Sequence, residues 1–224
     1  MAYRSTKQLF QITAAVSKWH LGHADAKYLP GARGLPLREE GYAADLIAAE
    51  ACRIVEDHNP SVPLFLYVPF TAVHTPLEVP NEELAAYEHF KFKTRQTFAA
   101  VTTRMDRCIG KVLDSVDQRL DARQTLIVFC GDNGGIQTLG SNGKLRGGKG
   151  MVYEGGIRVP AIVRWQGVTK LGTRIDTPLH IVDWFPTLIN LSGQSIDSAE
   201  KLDGRDLLPI CRPQVVREVT NDDR

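Results

Sequence analysis

Asp132 and Asn133 stand side by side after an apolar run, Thr125-Leu-Ile-Val-Phe-Cys130, and Gly134 and Gly135 follow them. A carboxylate beside an amide carbonyl supplies hard oxygen donors, which suit Ca²⁺ or Mg²⁺ and suit zinc or copper poorly. Further along, Leu145-Arg-Gly-Gly-Lys149-Gly150-Met-Val-Tyr-Glu-Gly-Gly156 sets a lysine in a glycine-rich loop. Oxygen donors at a strand end, followed by a cation-bearing loop, are what a metal-bridged oxyanion requires. The same Asp-Asn-Gly-Gly composition also makes an ordinary turn, for conformational reasons alone. Two other segments carry groups of use near an oxyanion: Ser17-Lys18-Trp19-His20-Leu21-Gly22 and Pro69-Phe-Thr-Ala-Val-His74-Thr-Pro76. Taken singly, Lys18 and Lys149 read as solvated surface charges, and His20 and His74 as hydrogen-bonded loop residues.

Elements must position these groups. Ile12 to Val16 reads as a short strand, and Leu64 to Val68 as a buried one. Length and alanine content favour a helix from Glu39 to Asp57, ended by Asn59-Pro60. Asn81 is placed to cap a short helix. Phe98, Val101, Met105, Ile109, Val112 and Val116 recur at helical steps and predict a long helix over about Thr94 to Gln118. Thr125–Cys130 and Ala161–Trp165 read as further strands. Ile181 to Leu191 reads as a helix with Pro186 at a kink or in its first turn. Alternating strands and helices predict an α/β fold, a mostly parallel mixed sheet flanked by helices. In such a sheet the loops carrying Lys18 and His20, His74, and Asp132 can share one rim.

Composition narrows the function classes. With 224 residues, 43% hydrophobic and 24% charged, the chain can bury a real core. Its formal charge of +1 provides no global field for nucleic acid or an anionic membrane. The N-terminal segment does not resemble a signal peptide, and no apolar run is long enough to span a bilayer, so the sequence as written is expected to be neither exported nor membrane-bound. Cys52, Cys108, Cys130 and Cys211 have no zinc-like spacing and read as core filler. Asn190-Leu-Ser192 matches a glycosylation acceptor inside a helical pattern.

Taken as an ordered set, these segments resemble the sulfatase family of the alkaline phosphatase superfamily. The resemblance rests on Ser17–Gly22, Phe65–Pro76, Gly131–Gly135 and Leu145–Pro160, with His180-Ile-Val-Asp-Trp-Phe-Pro-Thr187 similar to the family's following helix. It implies that Asp132 and Asn133 are metal ligands, for Ca²⁺ usually and Mg²⁺ as an alternative. It implies that Lys18 and Lys149 bind sulfate, Lys18 also lying close to the nucleophile, and that His20 and His74 orient the nucleophile and protonate the leaving oxygen. The substrate implied is a small-molecule or glycan sulfate ester, and family members are usually periplasmic, secreted or lysosomal. Trp19, Tyr153 and Arg158 are expected to position the loops.

The sequence also departs from the family's pattern. Sulfatases of this type use a formylglycine made in a C-x-P-x-R or S-x-P-x-R motif, and none of the four cysteines lies in one; Ser61-Val-Pro63 has Phe65 where arginine is needed. No Asp-Asp pair precedes Lys18, and a segment near 34–38 is shorter than in the family. The expectation is an incomplete sulfatase domain over 1–212 with an internal deletion, then a polar tail over 213–224. Its catalytic competence is doubtful on this basis. The alternatives are a non-catalytic protein that binds sulfated glycans, and a related phosphatase or phosphodiesterase.

Overall fold

The computed structural model describes residues 12–15, 41–194 and 201–211. Contacts divide the chain into two compact units. One contains 12–119 and 131–160, and the other contains 120–130 and everything from 161 onward that is described.

In the first unit, strand β1 (Ile12–Ala15) pairs in parallel with β2 (Leu64–Tyr67), Ile12 opposite Leu64 and Ala15 opposite Tyr67. Both strands therefore end at the same edge, and the His74 loop leaves from it. A parallel pair needs a crossover connection, and helix α1 (Ala43–Asp57) lies within it. Helix α2 (Lys93–Arg119) packs on α1. The buried face of α1 is Ala44, Ile47, Ala48, Ala51 and Val55, spaced by three and four residues. It is thus mainly a stripe of alanines, which lets the helices approach closely, whereas Leu46, Cys52 and Ile54 are only half-buried and Ala49 is exposed. On α2 the buried residues are Ala100, Val101, Cys108 and Ser115. Tyr42, Phe70 and Val112 close over Ala44, Ala48 and Cys108.

The flank of this helix pair is ionic. The guanidinium of Arg104 donates to Asp45 through Nε at 3.1 Å and to Glu83 through an Nη at 2.8 Å, and Arg107 also pairs with Glu83. Arg104 stands 4.7 Å over the Tyr42 ring. Burial pushes the Asp45 carboxyl upward, but hydrogen bonds from Arg104 and the Cys108 thiol outweigh it and hold it below the usual carboxylate range. The same burial, with Asp45 beside it, raises the Cys108 thiol to about 11, so it remains protonated as a donor.

Between β2 and α2 the short helix expected from Asn81 is instead two single 3₁₀ turns, Asn81–Glu83 and Ala85–Tyr87. Asn81 is the first residue of its turn, follows Pro80, and makes no side-chain cap. Glu83 is drawn into the arginine cluster, and Gln96 of α2 donates to the Leu84 carbonyl at 3.1 Å. The tertiary bond to Leu84 occupies a carbonyl that a continuous α-helix would use.

In the second unit, β3 (Ile127–Cys130) pairs antiparallel with β4 (Ala161–Arg164), Ile127 opposite Arg164 and Cys130 opposite Ala161. The expected mostly parallel order is met by β1 and β2 but not by this pair. The chain between β3 and β4 holds only a one-turn helix, α3 (Glu154–Ile157), instead of a crossover helix. A 3₁₀ turn, Ile181–Asp183, leads directly into α4 (Trp184–Leu191), which places Pro186 in the first turn of the α-helix. Buried Asp183 accepts from the backbone N–H groups of His180 at 2.7 Å and Arg205 at 2.9 Å. Although its burial disfavours the charge, these bonds hold its carboxyl below the usual range. Thr187 extends the tie, donating to the Asp183 carbonyl and accepting from Leu207, which is fully buried just before the short helix α5 (Leu208–Cys211). Asn190, of the glycosylation pattern, donates to Asp206 at 2.7 Å. Among the described residues no helix is long and apolar enough to cross a membrane.

Candidate active site

The chain leaves β3 at Cys130, and Gly131 donates to the Pro160 carbonyl at 3.1 Å. The next residue is Asp132, exposed, with Oδ1 accepting the Asn133 backbone N–H at 2.8 Å. Asn133 turns its amide nitrogen back onto the Gly134 carbonyl at 3.0 Å. Its carboxamide oxygen is the remaining acceptor of the group. One carboxylate oxygen and one amide oxygen therefore remain for a cation, a donor set that fits Ca²⁺ or Mg²⁺. Two oxygens are fewer than either ion takes, so this pair by itself would not complete a coordination shell. Among the described residues no group of three or more His, Cys, Asp or Glu side chains is gathered as a metal site.

The glycine-rich loop folds back on this turn through its backbone. Gly134 donates to Gly156 at 2.8 Å, Gly155 to Arg146 at 2.7 Å, and Lys149 to Gly135 at 3.1 Å. The strands of backbone approach so closely that a Cβ on Gly134 would run into the Gly155 carbonyl, and one on Gly155 into the Gly147 carbonyl. Glycine is needed at both places because no side chain fits. Lys149 is thus fixed by its main chain to the residue that follows Gly134, while its side chain is exposed.

Tyr153, expected to position a loop, makes a side-chain contact within the glycine-rich segment. Its hydroxyl accepts from Arg146 at 2.9 Å, and the same guanidinium stands 3.9 Å from its ring centre. Arg158 pairs with Glu154 at 3.0 Å across one exposed helical turn. Asn142 has no place in the motif reading, yet its carboxamide bonds to Gly135 and Gly147. The only signal for it in sequence is its place among turn formers, Gly140-Ser-Asn-Gly143.

His74 belongs to the same unit, in the loop after β2. Its backbone N–H donates to Thr71 at 3.0 Å, and its Nδ1 lies 2.7 Å from the Thr75 carbonyl. A carbonyl can only accept, so Nδ1 carries the proton and Nε2 is the ring nitrogen left to exchange one. The structure therefore ties Asp132, Asn133 and Lys149 into one backbone knot and holds His74 in its own loop. Lys18 and His20 lie outside the described residues, as does Trp19.

A sequence model of the family described as Sulfatase matches residues 7–194. The chain belongs to the sulfatase family. Among curated sulfatases, mouse arylsulfatase J is 36% identical over 167 residues, 74% of this chain and 28% of that protein. Human steryl-sulfatase is 32% identical over 173 residues, covering 73% of this chain and 28% of the relative. The chain therefore spans less than a third of the length of either.

Solved structures agree on the fold. Ps i-CgsB, in complex with k-i-k-neocarrahexaose, superposes with a TM-score of 0.84 at 28% identity, over 93% of this chain and 56% of that one. BT4656, solved with its substrate D-glucosamine-2-N,6-O-disulfate, superposes with a TM-score of 0.74 at 18% identity, over 95% of this chain and 64% of that one, and shows the fold alone. The α/β class expected from the sequence is that of these sulfatases, represented here in part.

Proposed function

We propose that this chain carries part of the active site of a sulfuric ester hydrolase. The observation that most supports the reading is the bond from Lys149 to Gly135, which ties a cation loop to an oxygen-donor turn. Cleavage of a sulfate ester builds negative charge on the nonbridging and leaving oxygens, and fixed cations lower that barrier. Lys149 would bind the nonbridging oxygens as an ammonium. His74, held through Nδ1, would deliver a proton from Nε2 to the leaving oxygen. Lys18 would bind sulfate beside the nucleophile, and His20 would orient that nucleophile. Asp132 and Asn133 would hold Ca²⁺, or Mg²⁺ in its place. When bound, such an ion supplies Lewis-acid stabilisation of the oxyanion.

The formylglycine motif is not in this sequence, so no step is derived through that group. In this form the chain is inactive or impaired as a hydrolase. Arylsulfatases, steryl-sulfatases and a structure in complex with k-i-k-neocarrahexaose among its relatives favour an aryl, steryl or sugar sulfate as the ester. Side-by-side assays with nitrophenyl sulfate and nitrophenyl phosphate test the reading. Slow or undetectable release confined to the sulfate ester is expected; faster release from the phosphate would assign the site to the phosphatase branch of the superfamily.

A second reading, a sulfated-glycan-binding protein without catalysis, is favoured by the exposed Lys149 and the missing nucleophile motif. It predicts calorimetric binding of a sulfated oligosaccharide that Lys149→Ala weakens, with no sulfate released. Equal binding of the desulfated oligosaccharide would exclude it.

A further inference from the structure

Asn142 uses every hydrogen-bonding direction of its amide nitrogen. Nδ2 donates to the Gly135 carbonyl at 3.0 Å and to the Gly147 carbonyl at 2.9 Å, while Oδ1 accepts the Gly135 N–H at 2.9 Å. The side chain thus pairs with both backbone groups of Gly135, as a neighbouring strand would, and its second N–H reaches across to the loop that carries Lys149. The Gly135 carbonyl is shared, accepting from Asn142 and from the Lys149 backbone N–H. The carboxamide is half-buried, and a Cβ added to Gly148 would stand 3.2 Å from Nδ2 and 2.6 Å from the Gly135 oxygen, so the clamp depends on glycine at 148. No other residue type offers two donors and an acceptor on so short a stem.

We propose that Asn142 is a positioning residue of the site: by clamping Gly135 to Gly147 it holds the Asp132–Asn133 turn and the Lys149 loop in one register, so that the cation ligands and the oxyanion-binding ammonium act together. This rests on the function proposed above, but it assigns to Asn142 a role separate from any contact with ligand. Its carboxamide is directed at the main chain, and its effect passes through the two loops. Removal of groups that orient metal ligands lowers metal affinity or activity roughly 10- to 100-fold.

The test uses the whole chain as wild type, Asn142→Ala and Asn142→Asp. The aspartate keeps the shape and the acceptor for Gly135 but loses both donations, and serves if the alanine variant does not fold. Amide exchange is measured first, without ligand. The expected result is faster exchange at Lys149 in both variants and at Gly135 in the alanine variant, with α1 and α2 unchanged as the check on folding; unchanged protection at Lys149 in both variants would overturn the clamp. Titrations with CaCl2 and with sodium sulfate follow. A folded Asn142 variant should lose roughly tenfold in calcium affinity and bind sulfate more weakly as well, whereas Lys149→Ala should act chiefly on sulfate. If wild type binds both ions and the Asn142 variants bind them equally well, the positioning role falls while the function stands. If wild type binds neither, the proposed function falls, whatever the exchange data show.

Discussion

The α1–α2 pair and the glycine knot lie in the same unit and are built on opposite principles. Between the helices, alanine, valine and cysteine side chains are removed from water, and stability comes from apolar burial with an arginine–carboxylate cluster at the flank. In the knot from Gly131 to Gly156 hardly any side chain is buried, and cohesion comes from backbone N–H groups, the Asn142 carboxamide and the closeness that missing Cβ atoms permit. The first arrangement tolerates changes of shape within limits of volume. The second tolerates no added atom at Gly134, Gly148, Gly155 or Gly156, but leaves the side chains of Asp132 and Lys149 exposed and that of Asn133 half-buried beside them. The second arrangement suits the proposed ion site, because its backbone is fixed while Asp132 and Lys149 stay exposed.

That contrast sets an order of expected effects. Gly155→Ala adds one carbon against the Gly147 carbonyl, and should cost about 3 kcal/mol in chemical denaturation; an unchanged midpoint would mean the knot is looser than its hydrogen bonds imply. Val55→Ala removes methyl groups from a side chain only 1% exposed in the helix interface, and should cost about 2 kcal/mol while leaving sulfate and calcium titrations unaltered.

Asp45 gives a smaller, pH-dependent effect. A carboxyl held below its ordinary value in the folded chain favours folding at pH above about 4, and that contribution is lost as acid protonates it. Asp45→Asn should therefore cost about 1 kcal/mol at neutral pH, a figure kept low because the pair is partly exposed. The difference from wild type should shrink on acidification below about pH 4; a constant difference would separate Asp45 from the acid sensitivity. Smallest is Arg158→Ala. Its ion pair with Glu154 is more than half exposed, so thermal unfolding should shift by less than about 0.5 kcal/mol equivalent.

Much of the first region was legible from the sequence. Both long helices lie close to where periodicity and length place them, although α1 starts at Ala43 instead of Glu39, after Gly41 and Tyr42. Its buried face is less legible, because large apolar residues attract notice in a pattern and here alanines make most of the interface. The antiparallel pairing of β3 and β4 was not legible, since strand direction depends on how the intervening 30-residue segment returns, and glycine-rich sequence does not encode that return by periodicity. In the knot, Asp132, Asn133 and Lys149 could be named from residue chemistry and family motif. Asn142 could not, because an asparagine among glycines and serines reads as a turn until the chain is seen folding back onto Gly135. Lys18 and His20 remain readings of the motif.

The most direct measurement is a crystal structure of the chain grown with calcium chloride and sodium sulfate. It should show an ion about 2.3–2.6 Å from a carboxylate oxygen of Asp132 and the amide oxygen of Asn133, with a sulfate oxygen hydrogen-bonded to Lys149 Nζ on the same face. An ion bound elsewhere, or Lys149 directed away from Asp132 and Asn133 with sulfate present, would contradict a shared cation and oxyanion site.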